Sequence, residues 1–557
     1  MTSQTAAAPT RFDGAAERAR RWWRVVADVR PLYVLGTLIL VQWIAVLALA
    51  LTVQHNRWLY YAGGDQLWHY SGADVIAHGH LPRALVGYGW SMLLAPVAAF
   101  VGPNLVSALP AIVQLNTLVL LPVALLCIYG IGARIAGRVF GYFAAAVWIA
   151  LPYVGILTVQ PGYHQKYTEL TLSQALGLAS VPDFPSTVGL IVAAYFALRA
   201  VDEAGWQSPV LAGLAAGYAI AIKPSNSLFL FAPAVLLLVA RWRQLLPFAA
   251  GLAPALLTLA LWKYRGLGEL AAAPAEPVRL AGGVGGLLDR VHSPELNSWE
   301  HLHQVVLGLR EHFWASRVIE FLPLAGCVAL LLRSLRGFLL VGTWFIAYLL
   351  VKGTYVLGGI DDASFFRLFM PGYPAYALLA AATVLLVPGV RVRPAAAAPW
   401  LSPRALTICV AAAALVFAVV PLAVVAAAPP LHDGGRHAVQ LDISLIPVSK
   451  DIQARAVPQT DGVHLSWHGS SPSGGAVFYR IYRRDRNDVA CGGRLNNAAD
   501  DCRLYSDAIG VTRSTTFVDH PPPGNWTYRI GVSANWLNDP SLGDVYVVSR
   551  PAAVRTG

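Results

Sequence analysis

The sequence predicts a polytopic α-helical membrane protein with about eleven transmembrane helices, followed by a C-terminal all-β sandwich domain. Three observations predict this class. Of the 557 residues, 56% are hydrophobic and only 13% are charged, a composition too apolar for a soluble globular protein. Apolar runs alternate with short polar loops as far as residue 428. Beyond that point the pattern changes to alternating strand-like segments between turn clusters.

The net charge of +11 raises the question of a nucleic-acid partner. The arginines, however, stand in short clusters between apolar runs, such as GARIAGR, RWR and RSLR. Cytoplasmic loops of membrane proteins carry arginine in this way. The charge distribution therefore favours membrane topology and membrane lipids as partners, and it argues against nucleic acid.

The N-terminal segment, residues 1–32, is polar and then basic, which predicts a cytoplasmic position. The apolar run 33–53 is long enough to cross a bilayer and is interpreted as an uncleaved signal anchor. The first outer loop, 54–105, contains a short, proline-containing apolar stretch at 89–102, predicted to be an interfacial helix.

Alternating crossings define a transmembrane domain over residues 33–428 in the cell membrane, with the C-terminal region 429–557 outside. Several crossings are short, so tilted or broken helices are expected. The further predicted spans are 106–131, 139–160, 187–201, 209–222, 228–240, 245–262, 319–332, 338–357, 375–387 and 406–427.

The ionisable residues of most interest share a position at the predicted outer ends of these spans, where they are candidates for function. The second outer loop, 161–186, holds three of them and also contains Asp183, and later polar breaks hold the others. They are Asp65 in the first loop; His164, Lys166 and Glu169 in the second; Lys223 in KPSN; and Asp361, Asp362 and Arg367 in GGIDDASFFRLFMPGYP.

The C-terminal strands VHLSWHG, VFYRIYRR, TTFVD and WTYRIGVSANW predict a small antiparallel β-sandwich over about residues 452–550. Trp467, Tyr482 and Tyr528 resemble the core tryptophan, the mid-strand tyrosine and the tyrosine corner of fibronectin type III domains. Such a fold does not fix a function.

Five cysteines fall into two groups. Those in apolar runs are interpreted as small hydrophobic residues; they are Cys127, Cys327 and Cys409. Cys491 and Cys502 lie close together in a polar region. They predict a disulfide if that region is outside the cell and free thiols if it is cytosolic.

The order of several motifs over residues 33–387 resembles the GT-C superfamily of integral membrane glycosyltransferases, most closely its protein O-mannosyltransferase and aminoarabinose transferase branch. The motifs are an aspartate after the first span, a YG before a short AP-containing segment, YGIGARIAGRVFG, AGLAAGYAIAIKPSN and FFRLFMPGYPAYALLAAA. The resemblance implies transfer of a sugar, with inversion, from a polyprenyl-phosphate donor to an extracytoplasmic glycan, lipid or protein acceptor.

The resemblance implies that Asp65 is the catalytic base, because a sugar hydroxyl is a poor nucleophile until a carboxylate takes its proton. Many members place a second acid beside the first, whereas this chain has Gln66. A single base is therefore favoured over a paired-carboxylate metal site. The sequence leaves the cofactor open, with a divalent metal as an alternative that the spacing does not indicate. The alternative is that Asp65 caps a juxtamembrane helix. Asp74 is interpreted as a helix-surface or capping residue.

Arg367 and Lys223 resemble the cations that bind the donor phosphate in this superfamily, and a guanidinium can make a forked contact with phosphate oxygens. Snorkelling to lipid headgroups is the alternative for both. His164, Lys166, Glu169, Asp361 and Asp362 could line the substrate groove or belong to loop surfaces. The irregularly spaced His292, His301, His303 and His312 favour a soluble cap over the site rather than a metal centre.

Two other functions remain open at this point. A transporter or flippase of lipid-linked sugars predicts inverted repeats and charges near the middle of spans. The sequence has no clear repeat, and its candidate charges lie at span ends. A non-catalytic envelope scaffold that displays the sandwich would tolerate the loss of Asp65.

Overall fold

The computed structural model describes residues 29–52, 64–82, 84, 86–102, 105–267, 297–361, 363–388, 390, 392, 394, 402–430, 452–468, 477–485, 509–534 and 547–557. Four residues that carry predictions above lie outside this part of the chain. They are Cys491 and Cys502 of the predicted disulfide, Asp362 and His292. Most of the predicted cytoplasmic segment lies outside it as well.

The described part of the membrane domain is built of helices. The longer ones are α1 Pro31–Thr52, α2 Gly64–Ala77, α3 Tyr88–Val101, α4 Leu105–Gln114, α5 Leu121–Ala136, α6 Arg138–Thr158, α7 Asp183–Asp202, α8 Gln207–Ile222, α9 Phe231–Arg241, α10 Leu245–Leu267, α11 Trp299–His312, α12 Ser316–Arg333, α13 Thr343–Lys352, α14 Tyr373–Ala382, α15 Pro403–Ala414 and α16 Val420–Ala427. The shorter helical segments are Leu115–Leu120, Pro161–Lys166, Tyr167–Leu172, Ser173–Ala175, Pro224–Leu230, Trp242–Gln244, Leu335–Gly337, Phe338–Gly342, Ser364–Phe369, Met370–Gly372, Thr383–Leu386 and Leu415–Val419.

Within the described residues, eight continuous helical stretches are long and apolar enough to cross a membrane. The chain is thus a multi-pass membrane protein, as its composition predicts. The sequence-based number of about eleven is higher for two reasons. It counts residues 224–266 as two crossings, because these 43 residues would extend about 65 Å as a single helix and the backbone leaves the helical conformation at Arg241, with φ of −159° and ψ of 65°, just before the turn Trp242–Gln244. It also includes α8, which has only 16 residues, and α12, which carries the charged Arg317, Glu320 and Arg333.

The two ends of α7 carry different charged groups. This helix has 20 residues, so its ends are about 30 Å apart. At the C-terminal end, Arg134 donates to Asp202 at 2.8 Å and to Glu203 at 2.7 Å, and Arg336 also pairs with Asp202. The GARIAGR and RSLR clusters therefore meet at one end of the bundle, opposite Asp183, as an alternation of charged loops predicts.

The C-terminal domain consists of two antiparallel sheets, in agreement with the predicted all-β domain. One sheet has the order β1-β2-β5, and the other has the order β4-β3-β6-β7 with β8 also paired to β6. The strands are β1 Gln453–Gln459, β2 Gly462–His468, β3 Val477–Asp485, β4 Gly510–Thr512, β5 Thr516–Asp519, β6 Gly524–Ala534, β7 Val547–Val548 and β8 Ala552–Thr556.

Both sheets contribute to the sandwich core. Trp467 and Tyr528 are buried in it, and the Tyr528 hydroxyl donates to the Asp519 carboxylate at 2.6 Å. Tyr482 does not join this core, because side chains alternate between the two faces of a strand. Its neighbour Tyr479 packs on Trp467 instead, with ring centroids 5.3 Å apart, while Tyr482 belongs to a cluster of the membrane domain.

Candidate functional site

Four charged residues form one connected set, which we call the charge cluster: Asp65, Asp183, Lys223 and Arg367. The Arg367 guanidinium donates through Nη2 to Asp65 Oδ2 and through Nε to Asp183 Oδ2 at 3.1 Å. The Lys223 ammonium donates to Asp183 Oδ1. The structure thus brings together the three residues predicted as base and phosphate ligands. It adds Asp183, which the sequence placed in the second outer loop without a role.

The packing of α7 against α8 explains why Asp183 and Lys223 lie next to each other. Asp183 is the first residue of α7, where the positive end of the helix dipole stabilises a carboxylate. Lys223 follows the last residue of α8 in an extended conformation, which is the conformation favoured before a proline such as Pro224. A short turn joins the two helices, so the start of α7 and the end of α8 come together.

Two glycines at the start of α3 let that helix approach the end of α8. A Cβ atom on Gly89 would lie 2.8 Å from the backbone nitrogen of Ile222, and one on Gly87 would lie 2.1 Å from the carbonyl oxygen of Ala221. Only glycine permits this contact. The Tyr218 hydroxyl also donates to the Gly89 carbonyl at 2.7 Å. The YG motif therefore fixes the helix end that presents Lys223.

Arg367 is presented by the short helix Ser364–Phe369, and the loop before this helix is held in place. Ala363, immediately before the helix, has a left-handed backbone with φ of 60°, which is uncommon for a residue with a Cβ. The Tyr163 hydroxyl donates to the Ile360 carbonyl in the same loop. The surrounding contacts thus impose the conformation that leads into Arg367.

Lys166 and Asp361, predicted as substrate-lining residues, contact each other in this loop. The Lys166 ammonium donates to the Asp361 carbonyl at 2.7 Å. His312 at the end of α11 lies 2.8 Å from the Asp361 carboxylate through Nε2, and its ring stacks on Tyr163 with centroids 4.3 Å apart. These contacts hold the loop that precedes Arg367.

The remaining predicted residues contribute less. His164 is exposed, and its backbone carbonyl accepts the Thr168 hydroxyl at 2.8 Å; it does not join the charge cluster. Glu169 lies in the helical segment Tyr167–Leu172, and its side chain is outside what the structure describes. His301 on α11 contacts the Gly358 carbonyl at 2.8 Å, so α11 packs over the loop that leads to Arg367.

Exposure increases across the charge cluster from Asp183 to Asp65. The Asp183 side chain is fully buried, those of Lys223 and Arg367 are 17% and 25% exposed, and that of Asp65 is 48% exposed. A buried carboxylate is tolerated only when cations compensate it, and Lys223 and Arg367 do so for Asp183. Asp65 is the most exposed member of the cluster.

His69 is a fifth ionisable residue at this site, and the sequence analysis missed it. It lies four residues after Asp65 on α2, which places both side chains on one face of the helix. Its ring is 2% exposed, and its Nδ1 has no hydrogen-bond partner within the described residues. Burial lowers the pKa of His69 to about 4, although the negative charges of Asp65 and Asp183 act in the opposite direction. The imidazole is therefore neutral at neutral pH.

The buried neutral His69 predicts a loss of stability in acid. Between pH 6.5, the ordinary pKa of histidine, and about 4, the unfolded chain binds a proton that the folded chain does not bind. Stability is therefore complete above pH 6.5 and falls with pH by up to roughly 3 kcal/mol. Thermal unfolding at pH 7.5 and 5 should show a smaller acid-induced decrease for His69→Gln than for the wild type. The exposed-site control His520→Gln should follow the wild type, and an unchanged decrease in His69→Gln would contradict the assignment.

The carboxylates of the site do not fit a metal centre. Asp65 and Asp183 both accept hydrogen bonds from Arg367. The guanidinium therefore occupies the position between the two carboxylates in which a shared metal ion would bind. Elsewhere in the part of the chain that the structure describes, no three histidine, cysteine or carboxylate side chains are grouped to hold a metal ion.

No protein-family model matches the chain, and no curated protein matches it. Among solved structures, it is similar to ArnT from Cupriavidus metallidurans bound to undecaprenyl phosphate, with 16% identity over 69% of this chain and 63% of that chain and a TM-score of 0.41. It is also similar to the oligosaccharyltransferase AglB from Archaeoglobus fulgidus in complex with an inhibitory peptide and a dolichol-phosphate, with 14% identity over 70% and 56% of the two chains and a TM-score of 0.37. The chain spans about three fifths of the length of these proteins. The activity of the site is therefore inferred from its own residues.

Proposed function

We propose that the protein is a membrane glycosyltransferase that moves a sugar from a polyprenyl-phosphate donor to an extracytoplasmic glycan, lipid or protein acceptor. One observation carries this proposal: the charge cluster joins an accessible carboxylate, Asp65, to two cations, Lys223 and Arg367. A base for a hydroxyl and fixed positive charge for a phosphate are what this reaction requires. The sequence resemblance to GT-C glycosyltransferases supports the same function.

In the proposed reaction, the Asp65 carboxylate takes the proton of the acceptor hydroxyl as its oxygen bonds to the anomeric carbon of the sugar. The bond from that carbon to the donor phosphate oxygen breaks, and its electron pair stays on the phosphate. Arg367 and Lys223 stabilise the charge that develops there. Asp183 contacts both cations and acts as a positioning residue. Inversion at the anomeric carbon is what the resemblance implies.

The location of the cluster supports a lipid-linked donor. Asp183 and Lys223 lie at the end of the α7–α8 pair, away from the arginine clusters at the other end of α7. A donor whose tail lies among bilayer lipids presents its phosphate near the ends of membrane-spanning helices, and the cluster lies at such an end. We further propose that this end faces outward and that the sandwich domain binds or orients the acceptor.

A transfer assay with Arg367→Lys tests the proposal. Purified protein in lipid nanodiscs is incubated with a panel of radiolabelled polyprenyl-phosphate sugars and cell-envelope acceptors. The wild type should label an acceptor from at least one donor. Because lysine keeps the charge but loses the forked contact, Arg367→Lys should transfer roughly 10- to 100-fold more slowly, the equivalent of a lost charge-assisted hydrogen bond.

The matched control is Arg243→Lys, a change at an exposed arginine that stacks on Trp242 at 5.7 Å. It should transfer at the wild-type rate. Equal rates for Arg367→Lys and the control would contradict the assignment of Arg367 to the donor phosphate. The absence of transfer from every donor in the panel would count against the proposed function.

A further inference from the structure

We infer that the donor phosphate binds by replacing Asp65 on Arg367, so that arrival of the donor frees the catalytic base. This inference rests on the proposed function and adds an order of events to it. In the structure, Arg367 engages both Asp65 and Asp183. Without a donor, Asp65 is therefore held in an ion pair with Arg367. It is released only when another anion binds the guanidinium.

The two carboxylates on Arg367 differ in how easily they can be displaced. Asp183 is fully buried, also accepts a hydrogen bond from Lys223, and lies at the N-terminus of α7. Asp65 is 48% exposed, and its ion pair within the described residues is the one to Arg367. Ion pairs of exposed carboxylates contribute little to stability. An incoming anion therefore exchanges with Asp65 and leaves the Asp183 contacts intact.

The exchange suits the chemistry of both anions. While Asp65 Oδ2 accepts the hydrogen bond of Arg367, that oxygen is not free to accept the proton of an acceptor hydroxyl. A phosphate matches the guanidinium fork at least as well as a carboxylate. Once Asp65 is released, it can take the acceptor proton. During transfer one unit of negative charge moves from Asp65 to the phosphate, which Arg367 and Lys223 hold.

The same exchange resets the site after transfer. Asp65 is then protonated and cannot compete for Arg367, so the lipid phosphate product stays bound. Because Asp65 is half exposed, it can lose its proton to water and become an anion again. The ionised carboxylate then competes with the product for Arg367 and promotes its release. The inferred order is donor, acceptor, glycosylated product and finally lipid phosphate.

A binding experiment separates this exchange from simple charge repulsion. The affinity of a fluorescent polyprenyl phosphate is measured in nanodiscs for the wild type, Asp65→Asn, Arg367→Gln and the double variant. Without its competitor, Asp65→Asn should bind roughly two- to fivefold more tightly than the wild type, the range expected for a partly exposed ion pair. In the Arg367→Gln background the same substitution should have no effect, since the exchange site is gone.

The outcomes distinguish the inference from the function on which it rests. Equal or weaker binding by Asp65→Asn would overturn the exchange, and so would tightening that persists in the Arg367→Gln background, which indicates general repulsion. A wild type that binds no polyprenyl phosphate would overturn the proposed function instead. If Arg367→Gln does not fold, Arg367→Lys takes its place in the cycle, and the effect of Asp65→Asn should then be smaller than in the wild type.

Discussion

Asp65→Asn should slow sugar transfer by roughly 10²- to 10⁴-fold, the usual contribution of a positioned general base. Asparagine has nearly the same shape as aspartate but cannot take the proton of the acceptor hydroxyl. The rate is measured under single-turnover conditions with saturating donor, so that donor binding does not limit it. The size of this loss distinguishes a base from a residue that only holds Arg367.

The control for this experiment is Asp461→Asn, which removes an aspartate that pairs with His464 in the sandwich domain at 2.8 Å. It should transfer at the wild-type rate. If Asp65 merely caps α2, Asp65→Asn should keep its activity, and an alanine at the same position should lose about 1 kcal/mol of stability. That pattern would contradict the assignment of Asp65 as the base.

Asp183→Asn should have the largest effect on stability. The carboxylate is fully buried and accepts hydrogen bonds from Lys223 and Arg367. Its loss leaves the Lys223 ammonium without its carboxylate partner and removes one of the two carboxylates on Arg367, and breaking a buried pair on one side costs about 3–5 kcal/mol. The melting temperature in detergent should fall clearly, and the variant should bind polyprenyl phosphate poorly because both cations lose their anchor.

A double variant tests whether this loss comes from the charge. Lys223→Met combined with Asp183→Asn removes one charge of each sign and leaves Arg367 paired with Asp65. The double variant should therefore be more stable than the sum of the two single losses predicts. Additive losses would show that Asp183 contributes through packing alone, which would contradict its role as the anchor of both cations.

The fold class could be predicted from the sequence, because a lipid bilayer requires apolar segments of a defined length and these are visible in the sequence. The number of membrane-spanning helices was harder to predict. Residues 224–266 make up one of the eight apolar stretches but turn at the RWR segment, and α12 carries three charged residues in an otherwise apolar sequence. Strands β2, β3, β5 and β6 were predictable from the alternation of apolar and polar residues. The face of the sheet on which Tyr482 lies was not, because it depends on the pairing register of β3 with β6.

The site was only partly predictable, for a related reason. Asp65, Lys223 and Arg367 stand at polar breaks in apolar runs, where an ionisable residue is conspicuous. Asp183 was less visible among the other polar residues of its loop, although its place at the start of an apolar helix required a cation partner. His69 could have been recognised from its spacing of four residues from Asp65. The contact of Lys166 with Asp361 depends on a meeting of distant loops.

The most direct test of the central claim follows the fate of the donor. Protein reconstituted in liposomes receives a polyprenyl phosphate labelled in both sugar and lipid, together with an acceptor on the same side. The proposed function predicts that sugar label moves to the acceptor while an equal amount of free polyprenyl phosphate forms, and that Asp65→Asn prevents both. Intact donor that appears in the opposite leaflet, with no cleavage of the bond between sugar and phosphate, would instead identify a transporter.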